Sequence, residues 1–129
     1  SGNLDQMSRI RQLSPENFDL ISGDDSLTLP VLSIGGVGII SVVANIVPKD
    51  VADLVREFEK GNIKRAQELH YRLLPLIKAV FIETNPIPVK TALGLMGLCE
   101  PDLRLPMCAM SPENLEKLKK AMKDYGLLE

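Results

Sequence analysis

Seven consecutive residues, Val37-Gly38-Ile39-Ile40-Ser41-Val42-Val43, limit what this chain can fold into more than any other stretch. Val and Ile dominate, and they do not alternate with polar residues. A strand with one wet face reads apolar, polar, apolar, whereas a largely apolar run rich in β-branched residues reads as a strand buried on both faces. A shorter candidate, Phe18-Asp19-Leu20-Ile21, ends at Gly23. Between the two, Asp24 or Asp25 caps a helix through roughly Ile34, despite Pro30, and Gly35-Gly36 ends it. Strand, short helix, strand in that order predicts a right-handed βαβ unit in a parallel sheet. Two parallel strands leave two unpaired edges and bury little apolar area. Strands apolar on both faces ask for more sheet than this pattern contains, so the expectation is one piece of a larger α/β fold.

The rest of the chain reads as helices. Before the first strand, Asn3 reads as the cap of a helix carrying Leu4, Met7, Ile10 and Leu13. After the second, Val51, Leu54, Val55 and Phe58 recur at helical spacing, with Pro48 near the start and Lys60-Gly61 at the end. A longer helix begins near Asn62 and carries Ile63, Ala66, Leu69, Leu73, Ile77 and Val80. Pro75 should kink it, because its nitrogen has no proton for the Tyr71 carbonyl. Asn85-Pro86-Ile87-Pro88 leads into a helix from about Val89 to Met96. Glu100 to Met110 reads as extended loop. Ser111 caps a final helix with Pro112 at its first position, an apolar stripe of Leu115, Leu118 and Met122, and an end at Gly126.

Fifteen Lys and Arg face seventeen Asp and Glu, a net charge of -2 that offers no electrostatic reason for nucleic acid or an anionic membrane. With no Trp, two Tyr and three Phe, base-stacking platforms are not expected either. The most apolar stretch, Val37 to Val47, is far shorter than a membrane span, and no charged-then-apolar leader opens the sequence. Cys99 and Cys108 form no CxxC, and His70 is the one histidine. Zinc wants about four ligands at characteristic spacing, so no metal and no cofactor are expected. Two buried or half-buried reduced thiols are favoured over a disulfide between them.

Gly23-Asp24-Asp25 follows a strand, where α/β barrels carry active-site residues. Two adjacent carboxylates can bind a metal or act as acid and base; the favoured reading is that one caps the helix and the other is solvated. Gly35-Gly36-Val37-Gly38 precedes its strand, whereas phosphate-cradling glycines follow one, so helix termination and close packing explain it. Ser41 has no histidine nearby in sequence to activate it, and His70 reads as a surface or interface residue. Lys90 and the other lysines read as solvated, while a Schiff-base lysine needs desolvation. No catalytic constellation is complete.

Five motifs nevertheless carry a resemblance. Ser1-Gly2-Asn3-Leu4, Gly23-Asp24-Asp25, and Gly35-Gly36-Val37-Gly38-Ile39-Ile40-Ser41-Val42 with Ala44-Asn45 stand in order along the chain. Asn85-Pro86-Ile87-Pro88-Val89-Lys90 and Leu103-Arg104-Leu105-Pro106-Met107 follow them. Together they resemble the dihydrodipicolinate synthase family over essentially the whole sequence, and the Asn-Pro-Ile-Pro-Val-Lys run favours it over the related sialic-acid lyases. The resemblance implies an α/β fold that is the C-terminal part of a TIM (β/α)8 barrel. Residues 1–47 would hold strands seven and eight, and residues 48–129 a helical C-terminal extension.

That family condenses pyruvate with aspartate semialdehyde, on the route to diaminopimelate and lysine, through a Schiff base on a lysine at the end of the sixth strand. The resemblance puts that lysine three residues upstream of Ser1. The tyrosine relay, the threonine, the arginine that holds the second substrate and the residues for feedback by lysine lie further upstream, so no catalytic residue is expected within the chain itself. Ile40 matches the position whose backbone carbonyl lies beside the pyruvate adduct. Gly23 matches a small residue that leaves room for substrate. Leu4 and Ile34 match helices at a subunit contact of the family's tetramers, implying a cytoplasmic homo-oligomer. The expectation is a fragment of a lyase, inactive alone. The alternatives are a fragment of a related pyruvate aldolase such as N-acetylneuraminate lyase, or a non-catalytic helical interaction module with the βαβ segment as adaptor.

Overall fold

In a computed structural model, which describes residues 2–129, six helices and two short strands follow the predicted order. Helix α1 spans Leu4–Leu13, strand β1 Ile21–Ser22, helix α2 Thr28–Ser33 and strand β2 Gly38–Ile39. Helices α3 (Pro48–Glu59), α4 (Ile63–Val80), α5 (Ile87–Leu95) and α6 (Pro112–Tyr125) complete the chain. Single 3-10 turns at Asp25–Leu27 and Val43–Asn45 lie just beyond the two strands.

The strands are parallel, pairing Ile21 with Gly38 and Ser22 with Ile39. They are shorter than the apolar runs that announce them, because a strand extends only as far as a neighbour takes its hydrogen bonds. Bonds from the Val37 N–H to the Leu20 carbonyl (2.9 Å) and from the Ile40 N–H to the Ser22 carbonyl (2.9 Å) bracket the ladder. The expectation of burial on both faces fails within this chain. Val37 is 46% exposed and Ile40 76% exposed, and Phe18 and Ile21 are also open. A sheet of two strands has nothing to lay over its second face.

At the turn into β2, Gly35 takes a left-handed φ of +92°. A Cβ on Gly36 would stand 2.5 Å from Val31 Cγ1 and 2.7 Å from the Val31 carbonyl oxygen. The Gly36 N–H donates to that same carbonyl at 2.8 Å. Helix termination and close packing are thus what this glycine pair does, as its position before the strand predicts.

The main core lies among the helices. Leu69, Leu73, Leu76 and Val80 recur along one face of α4 and are buried against Leu54 of α3 and Leu118 and Met122 of α6. Leu32, Val43, Ile46 and Val47 join the same cluster from the strand-bearing segment. Helix α4 runs on through Pro75. Both Pro75 and Tyr71 are exposed, so water can serve the carbonyl that the proline leaves unbonded. A second, small cluster of Met7, Leu20 and Val31 anchors α1.

Asn3 caps α1 as read from sequence, accepting from the Gln6 N–H at 3.0 Å. Ser111 does not use its side chain to cap α6. Its hydroxyl donates instead to Glu83 Oε1 at 2.7 Å, and the Ser111 N–H (3.1 Å) and Asn114 side-chain amide (2.9 Å) donate to the same oxygen. A carboxylate from the α4–α5 connection therefore closes the α6 N-terminus, where negative charge is favoured. The bonds from Asn114 and then Ser111 hold the Glu83 carboxyl below its ordinary range. A depressed carboxyl contributes stability above its unfolded pKa and loses it as pH falls through the folded one. Glu83→Ala should accordingly lower the melting temperature at pH 7. That difference should shrink in melts run progressively below about pH 4, and a difference constant down to pH 2 would remove Glu83 as an α6 cap.

Candidate active site at the strand ends

Because β1 and β2 are parallel and in register, both finish on one side of the sheet. Gly23 follows β1 there and Ile40 follows β2. The Ile40 N–H reaches back to the Ser22 carbonyl at 2.9 Å, so the structure brings the two substrate-site positions of the sequence reading together. A side chain at Gly23 would have its Cβ more than 4 Å from any atom beyond the adjoining residues. The strand ends thus present a bare backbone at Gly23 next to an exposed Ile40, an open floor rather than a closed pocket.

The two carboxylates after Gly23 divide the work differently from expectation. Asp24 caps the 3-10 turn, with Oδ1 accepting from the Ser26 N–H (2.9 Å) and hydroxyl (2.8 Å). Asp25, expected to be solvated if its neighbour caps, is only 3% exposed. It crosses to the other strand end. Its Oδ1 accepts from the Ser41 hydroxyl, and its Oδ2 from the Val42 N–H (2.9 Å) and the Val43 N–H (3.3 Å). Ser41 Oγ in turn accepts from the Ala44 N–H at 2.9 Å. The physical reason is the turn at Val43–Asn45, whose first amides lack partners within the turn; a buried carboxylate with several donors supplies them and is itself stabilised. Ser22, also buried, ties its hydroxyl to the Asp24 backbone through the Asp24 carbonyl (2.9 Å) and N–H (3.2 Å). Sequence reading missed the Asp25–Ser41 link. Its only signal was Ser41, a lone hydroxyl in an otherwise apolar run.

Beside Asp24 and Ser26 lies a cleft of about 330 Å³, walled by Leu74, Ile77, Lys78 and Phe81 of α4 and its end. The helical part of the chain therefore reaches the rim of the strand-end site. Other candidates stay apart from it. His70 sits half-buried on α4, edge-on to the Tyr71 ring at 5.5 Å, and burial pushes its pKa down. The Lys90 ammonium donates to the Asp102 carbonyl and straps the loop after α5. Cys99 and Cys108 are free and, contrary to the expectation of burial, exposed, because both lie on that extended loop. Among the described residues no three His, Cys, Asp or Glu side chains converge to hold a metal. Nor is any described helix long and apolar enough to cross a membrane. Leu4 and Ile34 are half-buried against the small Met7, Leu20 and Val31 cluster, and Ile34 caps the end of α2 rather than lying within it.

The model of the dihydrodipicolinate synthetase family matches residues 1–125. The chain belongs to that family. A 4-hydroxy-tetrahydrodipicolinate synthase from Endomicrobium trichonymphae is 61% identical over 129 residues, all of this chain and 44% of that protein. The crystal structure of dihydrodipicolinate synthase from Aquifex aeolicus superposes with a TM-score of 0.96 at 49% identity, covering 98% of this chain and 43% of that one. The dihydrodipicolinate synthase of Acinetobacter baumannii, solved in complex with pyruvate, gives a TM-score of 0.93 at 31% identity, covering 99% and 44%. The chain thus spans less than half the length of these relatives while matching them nearly end to end over its own. At the ends of its two strands, this member of the family gathers Gly23, Asp25, Ile40 and Ser41.

Proposed function

We propose that this chain is the C-terminal part of a 4-hydroxy-tetrahydrodipicolinate synthase, a Schiff-base lyase that condenses pyruvate with aspartate semialdehyde in diaminopimelate and lysine synthesis. The observation that carries the reading is a near end-to-end match to synthases, one of them 61% identical, with two parallel strands ending together on Gly23 and Ile40. On this reading residues 1–47 supply the last two strands of a (β/α)8 barrel, where substrates meet the C-terminal ends of strands, and residues 48–129 form the helical extension. The exposed Phe18, Ile21, Val37 and Ile40 are then apolar surface that the rest of the barrel covers.

The chemistry follows from that placement. Pyruvate loses its carbonyl oxygen as water when a lysine amine forms the imine, and the imine activates the methyl carbon to attack an aldehyde. The Ile40 backbone carbonyl lies beside the adduct and Gly23 leaves space for it, while the lysine itself comes from outside residues 1–129. The chain alone is inactive. The whole protein is a cytoplasmic homo-oligomer with Leu4 and Ile34 near a subunit contact, needs no metal or cofactor, and takes pyruvate and aspartate semialdehyde as its small-molecule partners.

The longer protein that carries these residues should consume aspartate semialdehyde in the presence of pyruvate and leave N-acetylneuraminate uncleaved. Cleavage of N-acetylneuraminate without the condensation would replace this reading with that of a related pyruvate aldolase.

A further inference from the structure

Resting on the synthase reading, we propose that Asp25 is a positioning residue: its buried carboxylate fixes the backbone of residues 41–43 and thereby holds the Ile40 carbonyl at the substrate site. The carboxylate accepts from the Ser41 hydroxyl and from two consecutive backbone amides, Val42 (2.9 Å) and Val43 (3.3 Å). On the other side of Ile40, its own N–H is held by the Ser22 carbonyl. The peptide group bearing the Ile40 carbonyl is therefore pinned from both directions, by β1 before it and by Asp25 after it.

The anchor is itself rigid. The Thr28 hydroxyl donates to the Asp25 carbonyl at 2.8 Å, and the Ser22 hydroxyl engages the Asp24 backbone one residue earlier. A merely local cap would not need this arrangement, since Ser41 already accepts from the Ala44 N–H within its own turn. A carboxylate reaching across from the other strand end adds a fixed distance between the Gly23 and Ile40 sides of one site. Burying a charge is costly unless every lone pair is used, and here the donors are mostly backbone, which cannot swing away. Such preorganisation sets the position of a carbonyl to fractions of an ångström, and about 1 Å of misplacement costs on the order of 100-fold in rate.

The test uses the complete protein and counts working sites before measuring turnover. Pyruvate followed by borohydride traps each imine-forming site as a covalent adduct, so turnover can be expressed per trapped site. Asp25→Asn leaves one acceptor oxygen where the carboxylate has two and puts an NH2 donor in the other's place, so it cannot accept from both the Ser41 hydroxyl and the backbone amides. It should still trap pyruvate, yet turn over about tenfold more slowly per trapped site, or worse. Ser41→Ala, which keeps both backbone donors, should show a smaller fall, and Ser41→Thr should restore nearly full turnover. Should Asp25→Asn fail to fold, the Ser41 pair decides. Unchanged turnover per trapped site, with only yield or melting temperature reduced, overturns the positioning role and leaves the synthase reading intact. A wild-type protein that neither traps pyruvate nor condenses it overturns the synthase reading, and this inference with it.

Discussion

Incubated with pyruvate and then borohydride, the 129-residue chain by itself should gain no mass, whereas the complete protein should gain one pyruvate adduct per chain. The difference is all or nothing because imine formation needs a neutral amine in a desolvated pocket. None of the nine lysines here is buried; Lys90 and Lys119 are half-covered and the other seven are exposed. Lys90 already donates to the Asp102 carbonyl, and Lys49, Lys60, Lys117, Lys119 and Lys120 pair with carboxylates. Of these nine, Lys78 alone lines the cleft at the strand ends, exposed on its rim. Intact-mass spectrometry of the reduced sample checks this directly. A stoichiometric adduct on the isolated chain, mapped to Lys78 or any other residue of it, ends the idea that the imine-forming amine comes from elsewhere.

Leu76→Ala and Leu118→Ala should each destabilise the chain by about 2–5 kcal/mol, the range for removing a large side chain from a tight core. Both leucines are completely buried, on α4 and α6, where those helices meet α3 and α5. Domains of this size hold only about 5–15 kcal/mol in all, so either change removes a large share of the total and lowers the melting temperature by on the order of 10 °C. Leu105→Ala is the control. That residue is 92% exposed, and its truncation should move stability by less than about 0.5 kcal/mol. Calorimetric or circular-dichroism melts of the three variants suffice. If Leu118→Ala melts with the wild type, the helical core is not organised around α4 and α6 as described.

Element order and type were legible because they depend on local pattern. The stripe of Val51, Leu54, Val55 and Phe58 can face one way only on a helix, and the structure makes Pro48–Glu59 one. Gly126, at a φ of +91°, ends α6 where its position after Tyr125 says it should. Boundaries drifted where they depend on partners instead. Phe18 and Leu20 left the predicted first strand because β2 offers bonds only at Ile21 and Ser22 and at the flanking carbonyl of Leu20. The helix read from Val89 starts at Ile87, since Pro86 and Pro88 fit the first turn, where no N–H bond is lost.

The candidate site divides in the same way. Gly23 was legible as the end of the first strand, whereas Ile40 stood mid-run in the second and was singled out by the family resemblance; the parallel register then places the two side by side. Neither Asp25 nor Glu83 was legible in its actual role. Each caps a turn or helix remote in sequence, Asp25 the turn at Val43–Asn45 and Glu83 the start of α6. A rule that looks for caps next to the element they serve cannot find them.

By itself the sequence determined the succession of strands and helices, the helix-ending glycines and the apolar stripes. All of these follow from backbone geometry and side-chain periodicity within a few turns of chain. Only the tertiary structure decided which acid is buried, which carboxylate closes α6 and which apolar residues lie open along the sheet. Those outcomes are set by what stands opposite each residue across space, and hydrogen bonding and burial are satisfied there rather than along the chain.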